Sequence, residues 1–210
     1  MIGKASSIAL VLCAAAAAWP GAGAAAAQGG SGDRLSRGIE AHNAALSGDA
    51  GALDEALLLL GTEGWQRPAI GLAYHGSALT IEASREKKAG RLAAALGLVD
   101  SGLKEIDEAV VREPGSKEAR LLRLENSLAL AEESPVDRSM EAKEDIAFLR
   151  ARWADLASEE RSIVELDDGR LALFRKSLNE AMGHWRKSTL EAPESPAAGR
   201  ARGLLARYGD

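Results

Sequence analysis

The sequence predicts an all-α protein, and three observations carry that expectation. Apolar residues recur three and four apart: Val99, Leu103, Ile106 and Val110 form one row, and Ile146, Leu149, Trp153 and Leu156 a second. Leu171, Phe174, Leu178, Ala181, Trp185 and Ser188 form a third, narrow stripe. No stretch after residue 30 alternates apolar with polar, and the β-branched residues that a sheet would need are scarce. Prolines and glycines fall between the rows, where helices must stop and start.

About nine helices follow, over 33–47, 50–61, 68–84, 87–113, 117–132, 138–157, 159–174, 177–191 and 196–208. Ser47-Gly48-Asp49 closes the first and opens the second. Pro68 begins the third, because a proline in the first turn lacks only an N–H that the helix leaves unbonded anyway. The fourth is continuous or broken at Gly97. Pro114-Gly115 ends it, and Ser116 caps the fifth ahead of Lys117-Glu118-Ala119. Ser134-Pro135-Val136-Asp137 repeats that device, Ser158 with Glu159-Glu160 starts the seventh helix where acid meets the positive end of the dipole, and Ser195-Pro196 opens the last. Connections of two to seven residues make most neighbours antiparallel pairs.

Residues before 33 read as an address. Lys4, an uncharged run from Ala5 to Trp19, the break at Pro20-Gly21 and the small residues up to Ala27 have the three parts of a secretory signal peptide, cut before Gln28. A retained membrane anchor is disfavoured by the alanine content and by Pro20. Acylation of Cys13 is disfavoured because Leu12, directly before it, is not small. The expected organisation is therefore a signal peptide over 1–27, a flexible linker over 28–32 and one helical domain over 33–210, exported to a periplasm.

Composition narrows the function. The 210 residues are 27% charged with a net charge of −5, so an ordinary globular chain is expected and a nucleic-acid binder is not. The single cysteine allows neither an internal disulfide nor a thiolate zinc site.

Two segments share a spacing. Counted from Gly90, there is a small residue at +12 (Gly102), a large one at +16 (Ile106), a small one at +19 (Ala109) and proline at +24 (Pro114). Counted from Gly169, the same places hold Ala181, Trp185, Ser188 and Pro193. This pattern resembles the tetratricopeptide repeat, with residues 178–205 similar to a last repeat and its capping helix. Arg175-Lys176 departs from the glycine and polar residue usual at the repeat's turn. The resemblance implies an α-solenoid of antiparallel hairpins with a concave face that binds other proteins.

No motif for a phosphate loop, a dinucleotide, a nucleophile elbow or a zinc helix occurs after residue 27. No catalytic, cofactor-binding or metal-binding residue is expected. His42, His75 and His184 are separate from one another and read as structural, His184 as a half-exposed ring bonded to a neighbouring turn. The carboxylate pairs Glu132-Glu133, Glu144-Asp145, Glu159-Glu160 and Asp167-Asp168 point about 100° apart on a helix, so they read as solvated faces rather than acid–base couples.

One cluster stands out: Arg85, Lys87, Lys88 and Arg91 crowd an expected helix start, where cations oppose the dipole. In the register set by Gly90, the resemblance puts Lys87 and Arg91 on one face of a groove-lining helix, suited to an acidic peptide, a terminal carboxylate or an anionic envelope polymer. The leading expectation is an exported adaptor that binds a protein or peptide. The alternative is an accessory protein of an envelope transporter, holding a small molecule or lipid in a cavity lined by Trp65, Leu72, Tyr74 and Trp153.

Overall fold

The structure is a computed structural model that describes residues 31–61, 67–133 and 137–209; of Ser31, Ala50 and residues 131–133 it describes only the helical backbone. The expected signal peptide lies outside these residues. The helices are α1 (Ser31–Leu46), α2 (Ala50–Leu60), α3 (Ala69–Lys88), α4 (Leu92–Arg112), α5 (Lys117–Glu133), α6 (Ser139–Arg150), α7 (Ser158–Phe174), α8 (Leu178–Glu191) and α9 (Pro196–Tyr208). Among the described residues there is no strand.

The expected caps form. Asp49 accepts the N–H groups of Gly51 and Ala52 at 3.0 and 3.3 Å, Ser116 that of Ala119 at 3.2 Å, and Ser195 that of Ala198 at 3.1 Å. Glu160 accepts the N–H of Ala157 at 2.7 Å and holds the first turn of α7.

Two boundaries differ from expectation. The third helix continues to Lys88, and the break falls at Ala89-Gly90-Arg91 instead of near residue 85. Gly90 takes a φ of 80°, which a side chain would resist, whereas α4 runs through Gly97 uninterrupted. The sixth helix ends at Arg150, and a single 3-10 turn (Trp153–Asp155) folds Trp153 and Leu156 back onto the core.

Three hairpins close with the same turn. Gly48 N–H reaches the Ala45 carbonyl at 3.0 Å and Asp49 N–H the Ala44 carbonyl at 3.1 Å. Gly90 and Arg91 make the matching bonds to Lys87 and Glu86, and Lys176 and Ser177 to Leu173 and Ala172. This paired closure needs one left-handed residue. Gly48 and Gly90 supply it without strain, and Lys176 adopts it at a φ of 64°.

These turns correct the repeat register. Gly90 corresponds to Lys176, so the pairing of Gly90 with Gly169 is out by seven residues. Aligned on the turns, Ala95 matches Ala181, Val99 matches Trp185 and Gly102 matches Ser188, while on the preceding helices Gly76 matches Ser162 and Ala83 matches Gly169.

At the matched positions the helices nearly touch. A Cβ on Gly76 would collide with the Gly102 carbonyl oxygen, and one on Gly102 would lie 2.5 Å from that of Gly76. At the same place in the other hairpin, Ser162 and Ser188 exchange hydroxyl-to-carbonyl hydrogen bonds of 2.9 and 2.8 Å. Gly169 makes room for the indole of the fully buried Trp185.

The substantial contacts join helices one or two places apart in the chain. Each odd-numbered helix packs on the next odd-numbered one, and each even-numbered helix packs on the two that flank it. The odd helices run in one sense: Leu35 and His42 of α1 meet Gly71 and Ser77 of α3, and Lys117 at the start of α5 pairs with Glu160 near the start of α7 at 2.9 Å. The turns that follow them therefore share one edge of the array.

Two apolar cores result, one among α1–α5 around Leu53, Leu72, Tyr74 and Leu122, the other among α5–α9 around Leu121, Leu124, Ile163, Leu166 and Trp185. Helix α5 serves both, and none of its described side chains is exposed.

Substituting Gly76→Ala forces α3 and α4 apart and is expected to destabilise the chain by about 1–3 kcal/mol. Gly183→Ala, in α8 with nothing within 4 Å of a new Cβ, is expected to stabilise it by about 0.5–1 kcal/mol. Urea unfolding of both variants checks the pair.

Candidate functional site

Lys87 and Arg91 are not on one helix. Lys87 is exposed in the last turn of α3, and Arg91 sits beyond the turn at the cap of α4, ion-paired with Glu86. The basic cluster thus ends a helix, where Arg85, Lys87 and Lys88 face the negative end of the dipole and are favourably placed. Arg85 also pairs with Asp54 at 2.9 Å and with Glu82 at 2.7 Å.

The cavity suggested around Trp65, Leu72, Tyr74 and Trp153 is not assembled. Leu72 and Tyr74 belong to the first core, Trp153 packs against the second and lies under the Arg150 guanidinium, and Trp65 is outside the described residues.

What the odd-numbered helices do bring together is a polar seam. His42 of α1, fully buried, hydrogen-bonds through Nε2 to Ser77 Oγ of α3 at 2.9 Å, and its ring meets that of Tyr74 edge-on at 5.0 Å. Asn126 of α5 donates to Ser77 Oγ at 3.3 Å and to the Leu122 carbonyl at 2.8 Å, and accepts from Thr80 at 2.6 Å. Its neighbour Glu125 accepts from Arg200 of α9 at 3.0 Å.

Asp167 of α7 is fully buried and accepts from Arg170 at 2.8 Å. Its second oxygen, and Nε of Arg200, are buried without a hydrogen-bond partner among the described residues. The Glu125 charge is felt, after burial and a stronger second influence, by His42, Tyr74 and Asp167 on three other helices.

Burial governs the titration of these groups. It pushes the Asp167 carboxyl up to about 6, opposed by Arg170 and reinforced by Glu125. It brings His42 down to about 4 against the hydrogen bond that its ring donates to Asn43 Oδ1 and the Glu125 charge. It also raises the Tyr74 hydroxyl, with Glu118 and Glu125 adding to the effect.

Three further polar clusters fasten neighbouring helices. Arg150 of α6 donates to Glu165 at 3.0 Å and to Asp168 at 2.8 Å, and His184 of α8 bonds the other Glu165 oxygen at 2.7 Å. Glu165 is brought down to about 2: burial opposes its charge, and the bonds from His184 and Arg150 outweigh that. Arg67 grips Glu105 through two bonds of 2.9 and 3.2 Å while His75 reaches the same carboxylate at 2.5 Å. Asp145, with no exposure, is held by Arg120 at 2.8 Å and Arg123 at 2.7 Å.

Asp145, Asp167 and Asp168 are therefore not on solvated faces, and His184 bonds a neighbouring helix instead of a turn. The signal was available in the spacing. Asp145 lies three after Ala142 and four before Leu149, and Asp167 three after Val164 and four before Leu171, all of them buried. Among the described residues, no group of three or more His, Cys, Asp or Glu side chains is arranged to hold a metal ion, and no helix is long and apolar enough to cross a membrane. No protein family, curated protein or solved structure matches the chain.

The two buried titrating groups of the seam oppose each other. Between about pH 4 and 6 the folded chain keeps a proton on Asp167 that the unfolded chain releases, so this contribution to stability is lost as pH rises. Between about pH 4 and 6.5 the unfolded chain takes up a proton that buried His42 refuses, so that contribution is lost as pH falls. Relative to the native chain, Asp167→Asn is expected to lose melting temperature between pH 6.5 and 4.5, and His42→Gln to gain it. Thermal melts at the two pH values check this, and shifts of the same sign in both variants contradict it.

Proposed function

We propose that this chain is an exported helical-repeat adaptor of tetratricopeptide-like, solenoid architecture, which holds a protein partner against the inner side of its odd-numbered helices. The observation that carries this reading is the serial packing, in which the substantial helix contacts join elements one or two places apart and the odd helices stand side by side, with the Glu125–Arg200 pair as the one longer link described. The repeated turn at Gly48, Gly90 and Lys176 supports a common unit, and α9 fits a terminal cap. The signal-like residues 1–27 support export to a periplasm.

The groove assigned to Lys87 and Arg91 is replaced by the seam at Glu125. Glu125 and Arg200 are about one-fifth and one-quarter exposed, so the seam opens to solvent beside its buried groups. Perturbed titration of several groups at one place is also the physical mark of a functional site. A carboxylate there suits a cationic or N–H-donating segment of a partner.

Tagged full chain is expected to capture its partner from envelope fractions, and Glu125→Gln to reduce that capture at least tenfold with an unchanged circular dichroism spectrum. The double variant Lys87→Glu/Arg91→Glu is expected to capture as the native chain does. The reverse pattern moves partner binding from the seam to the hairpin edge.

A second reading has one observation behind it. The unpartnered Asp167 oxygen and Arg200 Nε could take a small polar ligand with both a donor and an acceptor. Native mass spectrometry separates the two, since a retained small mass supports the ligand and a clean chain mass supports the adaptor.

A further inference from the structure

The edge that carries the turns after α3, α5 and α7 has a character of its own. Eight large apolar side chains are exposed among the described residues, and five of them lie here: Leu92 and Leu96 past the first turn, Met140 past the second, and Phe174 and Leu178 around the third. Leu92 and Leu178 hold the same place in the turn register.

Cations accompany them. Lys87, Lys88 and Lys176 have no ion-pair partner among the described residues, while acids on the same edge are engaged: Glu86 by Arg91, Glu180 by Arg175 and Asp54 by Arg85. At the α3–α4 tip, residues 85–91 hold four cations (Arg85, Lys87, Lys88 and Arg91) against one acid (Glu86), in a chain whose net charge is negative.

We propose that this edge docks on an anionic lipid surface, with Leu92 and Leu96 entering the headgroup region and Lys87 and Lys88 meeting the phosphates. Charge complementarity selects the anionic partner. Shape selects a bilayer over a peptide. The α3–α4 hairpin, of 20 and 21 residues, is longer than α1–α2 (16 and 11) or α7–α8 (17 and 14). Residues 87–94 at its tip are all exposed, so the tip has no walls to grip a chain, and it meets a flat, deformable surface well. Apolar side chains ringed by lysine are the composition of interfacial anchors, in which the apolar group sinks to the acyl boundary while the ammonium groups stay at the headgroups. This inference does not depend on the adaptor reading, since the seam and the edge share no residue.

The test is flotation of the full chain with vesicles of phosphatidylglycerol and phosphatidylcholine in equal parts, beside vesicles of phosphatidylcholine alone. Binding is expected to the anionic vesicles and to weaken in 0.5 M salt. Lys87→Glu/Lys88→Glu is expected to lower partitioning by about tenfold or more, and Leu92→Ser/Leu96→Ser to lower it as well. Leu190→Ser, which removes an exposed leucine at the far end of α8, leaves it unchanged. All these side chains are exposed, so each variant stays folded, with only a small fall in melting temperature where Lys87→Glu/Lys88→Glu reverses the favourable charge at the end of α3. Equal binding to both vesicle types, native-like binding by the edge variants, or absence of vesicle binding with capture of an acidic protein by the tip overturns the proposal.

Discussion

Everything in this fold depends on how closely the two helices of a hairpin approach. Where α3 crosses α4, glycine faces glycine and each backbone fills the place of the other's side chain; where α7 crosses α8, two serines bond across the same gap. Such contact permits three-residue turns, and the turns in turn fix which residue must be left-handed. It also limits the core. Alanines such as Ala56, Ala73, Ala78 and Ala109 are buried where leucines would force separation, so each hairpin brings little apolar volume. The chain therefore builds two modest cores and uses α5 as the wall between them.

A helix buried on both sides has few places for its polar residues, and that explains the arginines. Arg120 and Arg123 leave α5 to enclose Asp145, and Arg150 spans Glu165 and Asp168. Removing one partner of such a pair strands a charge in a poor solvent, at a cost of about 3–5 kcal/mol, so these clusters specify which helix meets which. Asp167 is the exception. It has Arg170 on one oxygen and, among the described residues, no hydrogen-bond partner on the other; burial raises its titration, as it also raises that of Asp145 against two arginines.

Helix identity and most boundaries were legible because they rest on local signals: caps at Asp49, Ser116 and Ser195, prolines at first turns, and a three-to-four spacing. The errors have one source. Seven residues are nearly two turns of helix, so a register slipped by seven presents the same apolar face, and Gly169 resembled Gly90 although Lys176 is its counterpart. Arg175-Lys176 stood out as a departure from the glycine usual at the repeat's turn, but that Lys176 itself takes the left-handed conformation has no local signature in a lysine. The seam was hidden for a related reason. The spacing of a carboxylate among apolar residues tells that it is buried, but not which residue compensates it, and Arg200 lies 75 residues from Glu125.

The same odd-numbered helices carry both the seam, near their midpoints, and the edge, at their ends. Ser77 and Lys88 are eleven residues apart on α3, which at 1.5 Å per residue places them about 16 Å apart along the axis. A surface touched by Lys88 is therefore separated from a group seated at Ser77 and Glu125 by three turns of helix, enough to keep the seam clear of headgroups. Gly76, which meets Gly102 of α4, directly precedes Ser77, so the close approach that limits the core sits where α3 enters the seam.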